Sequence, residues 1–213
     1  MQGLSAIVAA LCLLISAGCK TREVGSGPSA DGELVFSDEF ERPEIGDSWE
    51  RGAGEAGSGK WTLRDGWLHG RDIKNDPLWY VEPLPRKVRV EFDARAESAE
   101  GDLKVEIFGD GQNHASGYIL IFGGWKNSLD TIARLDEHGD DRKTRTSRKV
   151  EPRRIYRFAI ERRDDTLKWF VDGVQFMTYP DSVPLQGSKH AHFAFNDWTA
   201  PVAFDNFRVY RLP

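Results

Sequence analysis

The sequence predicts an all-β fold, a sandwich of antiparallel strands, and three observations support this. Short segments with apolar residues at every second position recur from Glu33 onward. Gly, Asp, Asn or Pro residues separate these segments, and no stretch beyond the first twenty residues keeps a helical 3.6-residue period over three turns. About a dozen strands at such spacing favour two packed sheets or a closed barrel.

The strand segments predict one buried and one outward face each. Val88–Arg95, Leu103–Phe108 and Thr166–Asp172 alternate apolar with charged or aromatic residues. Tyr118–Phe122 is apolar on both faces. We therefore expect that segment to be a central strand that is covered on both sides.

Turn residues between these segments predict hairpins. Asp65-Gly66 and Asp172-Gly173 are dipeptides in which both residues tolerate a positive φ, as tight two-residue turns require. His138-Gly139-Asp140-Asp141 is expected to connect another strand pair, and its acidic residues lack the spacing of an EF-hand. The basic run 142–154 is expected to be an exposed strand that its charges protect from edge-to-edge pairing.

The N-terminus predicts export. The apolar and small-residue run from Leu4 to Ala17 is shorter than the roughly 20 residues of a membrane-spanning helix, and Gly18-Cys19 follows it. The pattern resembles a bacterial lipoprotein signal peptide over residues 1–18, which implies acylation of Cys19 and a membrane anchor. Lys20, in place of aspartate, favours the outer membrane under that resemblance. The alternative is an ordinary secretory signal with a coincidental cysteine.

Composition sets the domain organisation and the expected partners. Residues 19–32 are small and polar and predict a flexible linker, which leaves residues 33–213 as one domain. The only cysteines are Cys12 and Cys19, so the domain has no disulfide. A net charge of −5 disfavours a nucleic-acid partner, and we expect a monomer.

Four sequence pieces carry a family resemblance. They are FSDEFER…W (36–49), WTLRDGWLHG (61–70), YRFAIERRDDTLKWFVDGVQF (156–176) and VAFDNFRVYRL (202–212). Together they resemble the concanavalin A-like lectin/glucanase jelly roll, nearest to the exported bacterial domains of its 3-keto-disaccharide hydrolase-like branch. The resemblance implies a two-sheet jelly-roll sandwich over residues 33–212. It does not fix the function, because lectins, glycosidases and adhesion modules share this fold.

Catalytic carboxylates are only weakly indicated. Glycosidases of this fold often carry an E-x-D-x-E motif, and Glu91-Phe92-Asp93 begins one, but the next carboxylate is Glu97. Six residues of strand span about 20 Å, whereas glycoside hydrolysis needs carboxyl groups about 5–9.5 Å apart. Arginines alternate with Glu91 and Asp93, as on a solvated or ion-paired face. Glu106 on the next predicted strand is the candidate for a carboxylate that faces Glu91 and Asp93, so a hydrolase remains an alternative.

Aromatic residues predict carbohydrate binding. Trp79, Trp125 and Trp198 stand at strand ends or in loops beside polar residues, and an indole ring suits the apolar C–H face of a sugar. Their alternative role is to cap the ends of the sandwich as core residues. The expected groove combines these rings with a polar face and the neighbouring Asn196; the polar face comprises Arg89, Glu91, Asp93, Arg95 and Glu106.

Metal binding is weakly indicated. Related sandwiches often hold a structural calcium ion where the first and last strands meet, which makes Asp38 and Asp205 the candidate ligands. The alternative is that both carboxylates form salt bridges or caps. His190 and His192 lack a third ligand at a recognisable spacing for zinc.

These observations favour a lipid-anchored envelope protein that binds a glycan without cleaving it. The alternatives are a glycoside hydrolase of the 3-keto-disaccharide type, and a structural or adhesion module that binds protein.

Overall fold

The computed structural model describes residues 27–54, 59–146 and 149–213. These residues form fifteen strands and one short helical turn: β1 (Glu33–Asp38), β2 (Trp49–Arg51), β3 (Thr62–Arg64), β4 (Trp67–Gly70), β5 (Leu78–Tyr80), β6 (Val88–Ala96), β7 (Leu103–Gly109), β8 (Tyr118–Gly123), α1 (Gly124–Asn127), β9 (Leu129–Arg134), β10 (Lys143–Thr146), β11 (Ile155–Arg163), β12 (Thr166–Val171), β13 (Val174–Pro180), β14 (His192–Asn196) and β15 (Val202–Arg211). Within the same ranges, no helix has the length and apolar character needed to cross a membrane.

The strands form two antiparallel sheets, which confirms the predicted sandwich. Sheet 1 has the order β13-β12-β11-β6-β15-β4-β3, and β1 also pairs with β15. Sheet 2 has the order β10-β9-β8-β7-β14-β5-β2. Alternation places one face of each sheet against the other sheet, and the remaining faces point outward.

Aromatic side chains from both sheets fill the space between them. Phe92 and Phe204 of sheet 1 meet Phe195 of sheet 2, with ring centroids 5.5 and 4.4 Å away. Trp169 lies fully buried against Phe122. Such ring pairs add about 0.5–1.5 kcal/mol each beyond area burial. The core is therefore built without disulfides.

The predicted turns and the predicted central strand are confirmed. Asp65 and Gly66 have φ values of 53° and 73°, and Asp172 and Gly173 have values of 53° and 76°. Both dipeptides close two-residue hairpins because positive φ at both central positions matches strand twist. The segment 118–122 lies in β8 between β7 and β9 and is buried throughout.

The folded unit begins before the predicted domain boundary at Glu33. The backbone N–H and hydroxyl of Ser29 donate to Glu161 at 2.6 and 2.5 Å. Arg89 donates to the carbonyl oxygens of Ser29 and Asp31, both at 2.6 Å. The guanidinium of Arg89 is almost buried, so it needs such acceptors. Residues 29–31, expected in the flexible linker, are therefore part of the domain.

The predicted groove does not form, because its two halves belong to different sheets. Glu91, Asp93 and Arg95 project from β6 on the outer face of sheet 1, whereas Glu106 belongs to the outward-facing side of β7 in sheet 2. The alternation of β6 and β7 is the same in sequence, but each strand turns its polar residues away from the common core. These residues therefore lie on opposite sides of the sandwich.

Candidate functional site

A cavity of about 780 Å³ lies on the outer face of sheet 2. Lys104 of β7 and Ile121 of β8 line its floor. Loops at the ends of the sheet-2 strands form its walls, and some of these loops lead to sheet 1. Its volume falls in the range of small-molecule sites, about 300–1,000 Å³. We call it the sheet-2 cavity.

A left-handed turn carries one wall of this cavity. In α1, Trp125, Lys126 and Asn127 have φ values of 49°, 60° and 59°. Each non-glycine residue in this conformation costs roughly 1–2 kcal/mol, and such residues occur singly in most proteins. Three in a row are backbone strain of the kind that clusters at ligand sites.

The side chain of Asn127 holds this turn in place. Its Nδ2 donates to the carbonyl oxygens of Val150 at 2.8 Å and Ala99 at 3.1 Å, and its Oδ1 accepts from the Val150 N–H at 2.8 Å. The Asn127 amide thus bonds to both the C=O and the N–H of Val150, as the backbone of a neighbouring strand would. Because Asn127 is buried, these bonds offset part of the strain and fix the direction of Trp125.

Two exposed indole rings line the cavity. The exposed fraction is 39% for Trp125 and 45% for Trp198. Both values are high for this domain, in which most aromatic side chains are buried in the core. The ring centroids of His138 and Trp125 lie 5.6 Å apart with the ring planes at 80°, and the Arg142 guanidinium lies 5.3 Å from the Trp125 ring centroid. The backbone N–H of Trp198 donates to Asp102 Oδ2 at 3.2 Å.

A buried ion pair forms the polar part of the floor. The Lys104 ammonium donates to Asn75 Oδ1 and Glu137 Oε2, both at 2.9 Å. Burial opposes the charge on Lys104, but the neighbouring Asp102 and Glu137 carboxylates outweigh it and raise the Lys104 pKa. Burial likewise opposes the charge on Glu137, and the Lys104 charge lowers the Glu137 pKa. Both groups are therefore charged near neutral pH.

A carboxylate–histidine pair lies beside the cavity floor. Glu106 is fully buried and accepts from His114 Nδ1 at 2.7 Å, the Ala115 N–H at 2.9 Å and Asn196 Nδ2 at 2.7 Å. A carboxylate only accepts, so we assign the ring proton to Nδ1 of His114. The other ring nitrogen, Nε2, lies 3.8 Å from Glu137 Oε2, and His114 lines the cavity.

A buried carboxyl group lies behind the wall near Trp198. Asp197 has no exposed surface. Burial, together with the nearby Asp102 carboxylate, raises the Asp197 pKa well above its ordinary value of 3.8. Asp197 is therefore a neutral acid near pH 7, while Asp102 lines the cavity itself.

The structure separates the predicted binding residues. Trp125 and Trp198 reach the cavity, whereas Trp79 is 1% exposed and packs against Gly109 and Gly52, as its alternative core role required. Glu106 and Asn196 lie beneath the surface and bond to each other. They support the site from below.

Arg95 is on the far side of the sandwich from the cavity. It stacks on Trp67 at 4.4 Å and pairs with Glu97 at 2.7 Å. Arg95 therefore cannot contact a ligand that also contacts Trp125, and this part of the prediction is wrong.

The weak catalytic candidates on β6 are occupied by partners. Glu91 accepts from Arg89 at 2.6 Å. Asp93 accepts from Asn206 at 3.0 Å and from Arg157 at 3.3 Å. This is the ion-paired face that the alternating charges indicated.

The candidate calcium ligands are engaged within the protein. Asp38 accepts from two nitrogens of Arg42 at 2.5 and 2.8 Å, from the Trp49 indole at 2.8 Å and from the Phe40 N–H at 2.9 Å. Asp205 bonds to Asn206, and burial raises its pKa to about 6. Across the described ranges, no three His, Cys, Asp or Glu residues are grouped so as to hold a metal ion. The carboxylates of Asp38 and Asp205 therefore fit a structural calcium poorly.

Cys19, the predicted lipidation site, lies outside the described residues.

Local sequence patterns did not indicate His114, Lys104 or Glu137 as site residues. Only the position of His114, eight residues after Glu106 and across a Gly- and Asn-containing loop, hinted at a local pair. The contact between Lys104 and Glu137 joins β7 to the β9–β10 hairpin, and no local pattern signals it.

Comparisons with known proteins identify the fold. The sequence matches no protein-family model and no curated protein. Among solved structures, the carbohydrate-binding module CBM66 from Bacillus subtilis is 17% identical with a TM-score of 0.61, covering 76% of this chain and 95% of that chain. A Bacillus licheniformis β-glucanase is 12% identical with a TM-score of 0.60, covering 87% and 100%.

A third similar structure is SCLam, a non-specific endo-β-1,3(4)-glucanase from family GH16. It is 14% identical with a TM-score of 0.61, and the match covers 91% of this chain and 98% of that chain. At these identities the likeness concerns the fold. The chain therefore shares the jelly-roll sandwich of carbohydrate-binding modules and glucanases.

Proposed function

We propose that this domain binds a saccharide in the sheet-2 cavity. The observation that carries the proposal is the exposure of Trp125 and Trp198 on one cavity that also presents charged and amide groups. Structural neighbours that include a carbohydrate-binding module and glucanases are consistent with it.

The chemistry of the cavity matches that of a sugar. A pyranose ring has an apolar C–H face, which stacks on an indole, and hydroxyl groups, which need both donors and acceptors. Trp125 and Trp198 offer the aromatic surface. Lys104 and Glu137, fixed by their ion pair, offer a donor and an acceptor in defined positions. The strained turn adds to the argument because it holds Trp125 in place before any ligand arrives.

A glycan array followed by titration tests this proposal. We expect the wild-type domain to bind, and Trp125→Ala and Trp198→Ala each to weaken binding about ten-fold or more, since about 1.4 kcal/mol corresponds to ten-fold. Trp67→Ala is the matched control, because Trp67 is a half-buried tryptophan stacked on Arg95 of sheet 1. Absence of any wild-type signal, or equal losses in all three variants, would contradict the proposal.

Glycoside hydrolysis is the second candidate, and the Glu106–His114 pair favours it. Glu106 orients the ring, so His114 presents Nε2 toward the cavity near Glu137. A histidine held in this way transfers protons as a general acid or base. The substrates to test are oligosaccharides and, following the family resemblance, 3-keto-disaccharides.

A product assay by mass spectrometry distinguishes binding from cleavage. If the domain is a hydrolase, His114→Gln lowers the rate about 10²–10⁴-fold, the usual contribution of a general acid or base. His138→Gln is the control, because His138 lines the same cavity but its side chain is largely exposed. Lack of turnover by the wild-type domain, or full activity in His114→Gln, would rule out this role.

We also propose that the chain is exported and held at a membrane, in the outer membrane where one is present, by lipid on Cys19. The support is the signal-like segment 1–18 followed by Cys19 and Lys20. Stable anchoring needs more than one acyl chain. Cys19→Ala is expected to abolish labelling with a fatty-acid probe and to move the protein out of the membrane fraction. Unchanged labelling would refute the lipid site.

A further inference from the structure

A second cavity, of about 630 Å³, opens at an end of the sandwich. Arg162 near the end of β11 in sheet 1 and Phe108 near the end of β7 in sheet 2 both line it, together with loop residues around Leu84 and Gly187. Of the described residues, Arg86, Arg162 and His190 belong to its lining, and no aspartate or glutamate does. We call it the end cavity.

Arg162 is a buried charge with no carboxylate partner in the part of the chain that the structure describes. Only 3% of its surface is exposed. Its Nε donates to the Arg86 carbonyl at 3.2 Å and its Nη1 to the Leu185 carbonyl at 2.5 Å, while its Cζ lies 3.2 Å from the Phe108 ring centroid. Among the described residues, neither Arg162 nor Arg86 forms an ion pair with a carboxylate.

Asp181, the acid whose charge acts on Arg162, is committed to other groups. Asp181 accepts from the Tyr118 hydroxyl and from Arg134, both at 2.8 Å. Burial lowers the Arg162 pKa to about 10 because Asp181 and Tyr118 compensate the charge only in part. Arg162 is still protonated at neutral pH.

A buried cation of this kind is costly. Carbonyl oxygens accept from its Nε and Nη1, but they leave a net positive charge in a poorly polarisable environment. An anion in the cavity would neutralise that charge. The planar guanidinium matches the oxygens of a carboxylate, sulfate or phosphate group better than a point charge does.

The rim of the cavity supplies further groups of the same kind. Arg86 is exposed on its rim. His190 donates through Nδ1 to the Ser116 carbonyl at 2.9 Å, since a carbonyl only accepts, and this fixes the ring beside the cavity. Two arginines and an oriented histidine without an opposing acid are suited to an anion.

We propose that the end cavity is an oxyanion site, which takes a carboxylate, sulfate or phosphate group either as a free ion or on an acidic saccharide. The site is independent of the sheet-2 cavity and does not require that cavity to bind sugar.

Calorimetric titration at constant ionic strength tests the site. The probes are sodium sulfate, sodium phosphate, glucuronate and a glucose sulfate, with sodium chloride and glucose as blanks. We expect the oxyanions to bind and the blanks not to bind. Tighter binding of glucuronate or glucose sulfate than of the inorganic ions would identify an acidic saccharide as the source, and the reverse order would identify a free ion.

Variants locate the binding. Arg86→Gln is expected to weaken sulfate binding at least ten-fold without affecting the fold, because its side chain is exposed; Arg162→Gln should do the same if it folds. Arg64→Gln is the matched control, since this exposed arginine on β3 lies outside the cavity lining. Trp125→Ala should leave oxyanion binding unchanged, which separates this site from the sheet-2 cavity. No binding beyond chloride, or equal binding by wild type and Arg86→Gln, would overturn the proposal.

Discussion

Asn127 is the residue on which the geometry of the left-handed turn depends, so replacing it gives a direct test of how the sheet-2 cavity is held. Asn127→Ala removes three hydrogen bonds, at 2.8, 3.1 and 2.8 Å, to Val150 and Ala99. Net contributions of about 0.5–1.5 kcal/mol per bond sum to about 1.5–4.5 kcal/mol. The buried N–H of Val150 also loses its acceptor.

We therefore expect the free energy of unfolding to fall by about 3 kcal/mol in Asn127→Ala. Because alanine is strained at positive φ and glycine is not, Asn127→Gly should retain about 0.5–1 kcal/mol more stability than Asn127→Ala. Guanidinium unfolding followed by tryptophan fluorescence measures both values.

Lys126→Gly provides the matched control within the same turn. Lys126 is exposed and has a φ of 60°, so glycine relieves strain there without removing any of the three bonds. Its stability should be unchanged or higher by about 0.5–1 kcal/mol. A loss below about 1 kcal/mol in Asn127→Ala, or a marked loss in Lys126→Gly, would show that the amide does not hold a strained turn.

Two further predictions concern buried groups that do not line the cavity. Burial raises the pKa of Asp197 above its ordinary value of 3.8, so Asp197 keeps its proton in the folded protein at pH values where the unfolded chain has lost it. Its contribution to the free energy of unfolding is therefore complete below pH 3.8 and declines as the pH rises above it. Asp197→Asn should therefore flatten the loss of stability between about pH 5 and pH 8, measured by urea unfolding, and an unchanged slope would refute this. Gly109→Ala places a Cβ 2.2 Å from Cη2 of the buried Trp79 ring and should lower stability by about 1–3 kcal/mol. In the control Gly173→Ala, the added Cβ meets no described atom within 4 Å, so only the strain of the positive φ remains. Equal melting temperatures for Gly109→Ala and the wild type would show that Trp79 and Gly109 are not tightly packed.

The parts of the fold that depend on local patterns were predictable. Period-two alternation marked the strands, and Asp-Gly dipeptides marked two hairpins, because a pleated strand alternates its side chains and a tight turn needs positive φ. The doubly apolar segment 118–122 was recognised as a central strand for the same reason. Trp125 and Trp198 were candidates because they stand in loops beside polar residues, where a ring can stack on a sugar; a core role that caps the sandwich was the alternative.

The assembly of the site was not predictable from local patterns. Sequence does not say to which sheet a strand belongs, so the charged faces of β6 and β7 were combined although they point in opposite directions. For Trp79 both ligand contact and a core role stayed open, since nothing local shows that Gly109 and Gly52 pack against it. Such contacts depend on how distant loops fold over a sheet.

By itself, the sequence determined that this chain makes an all-β domain from short amphipathic strands with a cysteine-free core, because those properties follow from residue types at fixed local spacing. It also marked three tryptophans as candidates for ligand contact, without showing which of them are exposed. Only the tertiary structure decided which groups share a cavity. The bonds from Asn127 to Val150, from Lys104 to Glu137 and from Arg162 to Leu185 each join residues more than twenty positions apart. Chain distance carries no information about such pairs, and the packing of two sheets brings them together.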